Sequence, residues 1–113
     1  MKTFKVIVTD SMNTEVMTYM KVKKTTGTQV KLKGFETDKF FIHKTLNPGI
    51  WYGKYSLIHS ETGLRICDDD SKKDIKGKAE RLLNTKGRKL LDEAIEKRKL
   101  LFTKFNIKYP INK

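Results

Sequence analysis

The hydrophobic pattern changes its period near residue 70, and this change constrains the fold more than any other feature of the sequence. Before it, apolar and polar residues alternate in short β-branched runs; after it, apolar residues recur every three or four positions. A chain of 113 residues without a linker has room for one core. The sequence therefore predicts one α+β domain over residues 1–113, with a β-rich part (1–69), a helical part (70–105) and a fraying tail (106–113).

An antiparallel sheet of five or six strands is predicted for the β-rich part, as a meander or an open barrel, because both share this pattern. The strands are expected over residues 3–9, 15–24, 29–33, 39–45, 54–59 and 64–67. Residues 25–28 (TTGT) are typical of a turn, so the second and third strands should form a hairpin with one solvated face. Further turns are predicted at residues 46–49 (LNPG) and 60–63 (SETG).

Two helices are predicted to follow the sheet. Ser71 is a candidate N-cap with Asp74 three residues later, and the acidic run at residues 68–70 favours the positive end of a helix dipole. The apolar face of the first helix comprises Ile75, Ala79, Leu82 and Leu83. A break is expected at Asn84-Thr85, before a second helix over residues 86–104. Its apolar stripe comprises Leu90, Leu91, Ala94, Ile95, Leu101, Phe102 and Phe105.

The balance of charge points to an anionic partner. The chain carries 25 basic and 13 acidic residues, a formal net charge of +12. Such a field attracts polyanions, and counterion release from nucleic acid drives binding that is independent of sequence. Lysines outnumber arginines 21 to 4, and lysine is a hydrated point charge rather than a bidentate reader of bases. The ratio favours attraction to a phosphate backbone, or solubility alone, over sequence-specific recognition.

Cysteine content and hydropathy limit the compartment. The single cysteine, Cys67, excludes an internal disulfide and fits a reducing cytosol. No apolar run approaches the roughly 20 residues that cross a bilayer, and residues 1–4 lack the start of a signal peptide. We therefore expect a cytoplasmic protein without membrane contact.

Catalytic chemistry has few candidates. Cys67 could pair with His43 or His59 as nucleophile and base, but no motif for a cysteine hydrolase surrounds it. The same residues with Asp68 could bind a metal, yet they lack the spacing of known ligand sets. The run at residues 68–70 could hold a divalent cation, as in nucleases, but a helix start explains the three carboxylates without a metal and is the preferred interpretation. We expect no enzyme, cofactor or metal.

Two groups of basic and aromatic residues are candidates for nucleic-acid binding. Bases can stack on exposed rings of a sheet while ammonium groups bind phosphates, although an ordinary solvated strand face has a similar composition. The candidates on the sheet and its turns are Tyr19, Lys21, Lys23, Lys31, Lys33 and Trp51. Those on the helices are Lys72, Lys73, Lys76, Arg81, Arg88 and Lys89.

The segment 51–66 (WYGKYSLIHSETGLRI), followed by a lysine-rich helix, resembles small accessory proteins of Gram-positive phages, plasmids and conjugative elements. The resemblance covers about a third of the chain and includes no catalytic motif. It implies a short mobile-element protein, from a group that includes nucleic-acid binders and inhibitors of host defence such as anti-CRISPR proteins.

Together these observations predict a small, basic, non-enzymatic protein that binds DNA or RNA mainly through phosphate contacts. The alternative is a protein-interaction module that inhibits a host enzyme or nucleoprotein complex, and this predicts an exposed apolar patch near Trp51 or along the second helix. The amphipathic second helix is also compatible with a homo-oligomer. A metal-dependent nuclease ranks last.

Overall fold

Each strand of the sheet pairs with its neighbour in the chain. The computed structural model describes residues 2–10, 13, 15–45 and 53–112. Its elements are β1 (Lys2–Thr9), β2 (Met20–Val30), β3 (Phe40–Lys44), β4 (Tyr55–His59), β5 (Arg65–Asp69) and α1 (Lys72–Lys104). The strands form one antiparallel sheet in the order β1-β2-β3-β4-β5. The α+β class and the antiparallel five-stranded sheet are confirmed, while the predicted turn at residues 46–49 lies outside the described residues.

The predicted hairpin at residues 25–28 is wrong, because β2 continues through them as one strand of 11 residues. Residues 20–27 of β2 pair with β1, and residues 27–30 pair with β3. The two ladders overlap at Gly27, which lies opposite both Lys2 and His43. Before Gly27, β1 and β2 therefore form a two-stranded ribbon that β3 does not accompany. We call this pair of strands the β1–β2 ribbon.

Aromatic packing explains why Gly27 lies in a strand. The rings of Phe4 in β1 and Phe41 in β3 stack 4.2 Å apart at an interplanar angle of 6°. A Cβ atom on Gly27 would lie 3.3 Å from each ring and 2.7 Å from the carbonyl oxygen of Ile42. Glycine is thus the residue that lets the two rings meet across the intervening strand.

Apolar side chains fill both sides of the sheet. On one side, Phe40, Ile42, Leu57 and Cys67 pack against α1. The α1 residues in this cluster are Ile75, Ala79, Leu83, Leu91 and Ile95. On the other side, Phe4, Val6, Phe41 and Ile58 form a second buried cluster. The alternation of β3 thus sends Phe40 and Ile42 to one side of the sheet and Phe41 to the other.

The helical part begins as predicted but is not divided as predicted. Ser71 is the N-cap, and its hydroxyl accepts the backbone N–H of Asp74 at 3.3 Å. The expected break at Asn84-Thr85 is wrong, since both residues are helical and one helix spans Lys72–Lys104. The Asn84 side chain donates to the carbonyl oxygens of Glu80 and Lys33, so it ties the helix to the loop after β2.

Gly87 is the one residue within α1 with non-helical dihedral angles, at φ 84° and ψ 164°, and it kinks the helix. The kink changes the phase of the apolar stripe. Leu91, Ile95 and Phe102 are buried beyond it, whereas Leu90, predicted to share their face, is 49 % exposed.

The predicted tail at residues 106–113 is bound to the rest of the fold in its described part, which ends at Asn112. Asn106 adopts a left-handed conformation, and the N–H of Ile107 donates to the carbonyl of Phe102, which closes α1 as in a Schellman motif. Ile111 is buried. The Asn112 amide then binds both backbone groups of Lys5 at 2.8 Å and the carbonyl of Ser60 at 2.9 Å.

Replacing Gly87 by alanine should destabilise the protein by about 1–3 kcal/mol, because a side chain is strained at this φ and ψ. Gly77→Ala is the matched control in the same helix, where a Cβ atom would meet only Arg81, at 3.5 Å. It should stabilise the fold by about 0.5–1 kcal/mol. Urea unfolding measures both changes, and stabilisation by both substitutions would contradict the kink.

Candidate nucleic-acid interface

The β1–β2 ribbon concentrates positive charge. Its two strands hold five lysines and no acidic residue: Lys2, Lys5, Lys21, Lys23 and Lys24. All five side chains are exposed, and none forms a salt bridge with a described residue. Basic residues also adjoin in the second half of α1, at Lys97, Arg98 and Lys99, but there Lys99 pairs with Glu96. The ribbon differs because its five lysines are exposed on two directly paired strands and have no ion pair with a described carboxylate.

The register places these lysines on both faces of the ribbon. Lys21 and Lys23 share one face, as the alternation predicted, and lie opposite Val8 and Val6. Lys24 projects from the other face, directly opposite Lys5. This pair could not be predicted from the sequence pattern, because it depends on the register between β1 and β2.

Tyr19 precedes β2 and is 37 % exposed. Its backbone N–H donates to Asp10 Oδ1 at 3.2 Å, which fixes the residue at the start of the strand. Lys21 Nζ lies 4.9 Å from the centroid of the Tyr19 ring. A base that stacked on this side of the ring would displace the ammonium group, so Tyr19 and Lys21 act as one unit.

Lys31 and Lys33 do not join the other lysines of β2. They follow the end of the strand, so Lys31 is ten residues from Lys21 along an extended path of roughly 33 Å. The backbone N–H of Lys33 donates to Glu80 Oε2 at 2.6 Å, which ties this segment to α1. Because the predicted hairpin is absent, Lys31 and Lys33 do not lie beside Tyr19, Lys21 and Lys23.

The helical candidates separate into exposed and paired residues. Lys72, Lys73, Lys76, Arg81 and Lys89 are exposed along α1. Arg88 instead binds the carboxylates of Asp38 and Asp92, and Asp38 raises its pKa chiefly through a side-chain hydrogen bond. Trp51 lies outside the described residues.

Arg98 is a basic residue of α1 that is not among the predicted candidates. It lies on the apolar stripe of α1, three residues after Ile95 and four before Phe102, both of which are buried. Burial lowers the pKa of its guanidinium group, and the residue has no ion pair with any described residue. The i, i+3, i+4 spacing could have identified it as a charge at a core-facing position.

A buried polar cluster links the loop before β3 to the turn after β4. The His59 ring is 1 % exposed; its Nδ1 lies 2.7 Å from Thr62 Oγ1, and its Nε2 lies 3.6 Å from Asp38 Oδ1 without a hydrogen bond. Asp38 in turn holds Arg88. The cluster thus anchors α1 just after its kink.

The residues considered for a catalytic or metal site, Cys67, His43 and His59, are not brought together by the fold. Cys67 packs on the α1 side of the sheet, while His43 lies on the opposite side, and His59 faces Thr62 and Asp38. Burial raises the pKa of the Cys67 thiol to about 11, far from the range of an activated nucleophile.

The three carboxylates at residues 68–70 all accept hydrogen bonds from backbone N–H groups. Asp68 and Asp70 accept the backbone N–H groups of Gly53 and Lys54, and Asp69 accepts that of Ser71. Among the described residues, no three or more His, Cys, Asp or Glu side chains are grouped so as to hold a metal ion.

Comparison with known proteins found no family model, curated protein or solved structure that matches the chain. No helix in the described part of the chain has the length and apolar character needed to cross a bilayer.

Acidification should destabilise the fold below about pH 6.5. Burial lowers the pKa of His43 and of His59, and for His59 it outweighs the opposing effect of Asp38. The unfolded chain therefore binds more protons than the folded chain as pH falls through the ordinary histidine pKa of about 6.5. The contribution of the two neutral, buried histidines to the free energy of unfolding is fully present above that pH and is lost as the pH falls below it.

Urea unfolding at about pH 7.5 and 5.5 measures this effect. The free energy of unfolding should be lower at the acidic pH, and a double His43→Gln, His59→Gln variant should show a smaller difference. Equal dependence on pH in both proteins would contradict the assignment.

Proposed function

We propose that this protein is a small, non-enzymatic nucleic-acid-binding protein of the cytoplasm, and that it binds phosphate groups mainly through the β1–β2 ribbon. The observation that carries the proposal is the set of five exposed lysines in two paired strands without a carboxylate. Lysines gathered without acids give a local positive potential, which attracts a polyanion more strongly than the same charges dispersed over the surface.

The shape of the ribbon supports the same proposal. Because β3 joins β2 only from Gly27 onward, the earlier part of the ribbon has two strands, with exposed lysines on both faces beside the buried Phe4, Val6 and Met20. A two-stranded ribbon is one of the elements that the major groove of DNA admits. Its lysines are suited to phosphates rather than base edges, so we expect weak dependence on sequence, with Tyr19 adding a stacking surface for single strands.

The protein-interaction alternative depends on exposed apolar surface. Leu90 and Leu100 are 49 % and 72 % exposed on α1. They are ten residues apart, about 15 Å along the helix axis, with charged Glu93 and Lys97 between them. The other exposed aliphatic side chains of the described residues are Val16 and Val22, at 59 % and 42 %, and the predicted patch near Trp51 lies outside the described residues. Leu90 and Leu100 do not make a contiguous patch on α1, and we therefore favour nucleic acid over an apolar partner docked on this helix. An accessory role in a phage or mobile element remains part of the proposal.

Fluorescence anisotropy with labelled single-stranded and duplex oligonucleotides tests the proposal. Affinity should fall steeply with salt, because each phosphate contact contributes about 0.7–0.9 to the slope of log K against log salt. Replacing Lys21, Lys23 and Lys24 together by glutamine should weaken binding and make the dependence of log K on log salt less steep.

The matched control replaces Lys72, Lys73 and Lys76 by glutamine, which removes the same charge from α1. It should weaken binding less than the ribbon variant does. Equal losses in the two variants would show that overall charge, and not the ribbon, sets affinity. No change in anisotropy for the unmodified protein at low salt would remove the proposal.

A further inference from the structure

Two lysines of the ribbon, Lys5 and Lys24, lie directly opposite each other in the register. Asn112 binds both the N–H and the carbonyl of Lys5, so these groups point away from β2. A residue oriented in this way forms the narrow, non-hydrogen-bonded type of antiparallel pair, with Cα atoms about 4.5 Å apart. Its partner in the register is Lys24. Both ammonium groups thus rise from neighbouring positions on one face.

Hydroxyl groups adjoin this lysine pair on the same face. Thr3 and Thr26 are directly opposite each other, two residues from Lys5 and Lys24 along their strands. All four side chains are exposed. The face therefore presents two cationic donors and two neutral donors in adjacent rows, in strands that hold no carboxylate.

Like charges at directly opposite positions destabilise a sheet. No described carboxylate forms a salt bridge with Lys5 or Lys24, so none of the described acidic side chains offsets this repulsion by an ion pair. The other face of the ribbon differs, because Lys21 and Lys23 lie opposite valines and Lys21 already contacts the Tyr19 ring. The arrangement that gains most from an anion is therefore the face with Lys5 and Lys24.

The same side of the sheet carries another unpaired cation. Ile7 and Met20 share this side with Lys5 and Lys24 and pack in one cluster with Phe102 of α1. Arg98 lies one turn before Phe102, half-buried and without an ion pair in the described structure. Positive charge on α1 thus borders the same side as the lysine pair.

We propose that Thr3, Lys5, Lys24 and Thr26 form a phosphate clamp, and that a backbone phosphate of a nucleic acid binds between the two ammonium groups. This inference rests on the proposed function and adds the face of the ribbon that makes the contact. A phosphate oxygen accepts from each lysine, and the threonine hydroxyls donate to the remaining oxygens. The bound anion neutralises the repulsion between Lys5 and Lys24.

The clamp predicts opposite effects on stability and binding. Without ligand, Lys5→Met or Lys24→Met should raise the midpoint of thermal unfolding by about 1–5 °C, because each relieves the repulsion. The double variant should gain little beyond either single variant. A lower midpoint in both single variants would overturn the like-charge pair.

Oligonucleotide anisotropy in about 50 mM salt tests the binding face. Lys5→Met combined with Lys24→Met should weaken binding about tenfold or more, and Thr26→Val should weaken it about twofold. The matched control is Lys21→Met combined with Lys23→Met, which removes equal charge from the opposite face of the ribbon and should cost less affinity. If the control loses as much affinity as the clamp variant, the inference is overturned while the proposed function stands.

Pyrophosphate separates the two sources of phosphate. If the unmodified protein binds no oligonucleotide but pyrophosphate raises its unfolding midpoint, and does so less in the clamp variant, the clamp serves free phosphates and the proposed function fails. If pyrophosphate and oligonucleotides both leave the midpoint and the anisotropy unchanged, the clamp and the proposed function are both overturned.

Discussion

The stacking of two phenylalanine rings over Gly27 is the contact on which the arrangement of this fold depends. Phe4 and Phe41 come from strands on either side of β2, and they meet because the residue between them has no side chain. The contact joins the β1–β2 ribbon to the rest of the sheet at the position where the two ladders overlap. A substitution at Gly27 would therefore disturb the junction, and with it the orientation of the ribbon relative to α1.

Local pattern predicted the elements whose cause is local. The β-branched run of β1, the alternation of β3 and the cap at Ser71 depend on neighbouring residues, and all three were confirmed. The continuity of β2 depends instead on rings 23 residues before and 14 residues after Gly27. The local sequence around Gly27, a glycine among threonines, does not distinguish a turn from a strand. Since glycine is frequent in turns, the sequence alone favoured the turn.

The candidate site shows the same limit. Alternation along one strand correctly placed Lys21 and Lys23 on one face. Lys5 and Lys24 are opposite each other only because of the register between β1 and β2. Arg88 binds Asp38, which is 50 residues away in the sequence. Charge could be counted from the sequence, but its pairing could not, because carboxylates that neutralise a lysine or arginine are found only when the chain is folded.

Protection of strand edges is a competing reason for lysines in the ribbon. Exposed edges pair with other chains, and lysine side chains prevent this. Asn112 already occupies both edge groups of Lys5, so the lysine adds little protection at that position. Guarding both edges needs a lysine on each strand, but staggered positions would serve without repulsion. Edge protection thus accounts for the number of lysines and leaves the direct opposition of Lys5 and Lys24 unexplained, whereas an anion bound between these two accounts for that opposition.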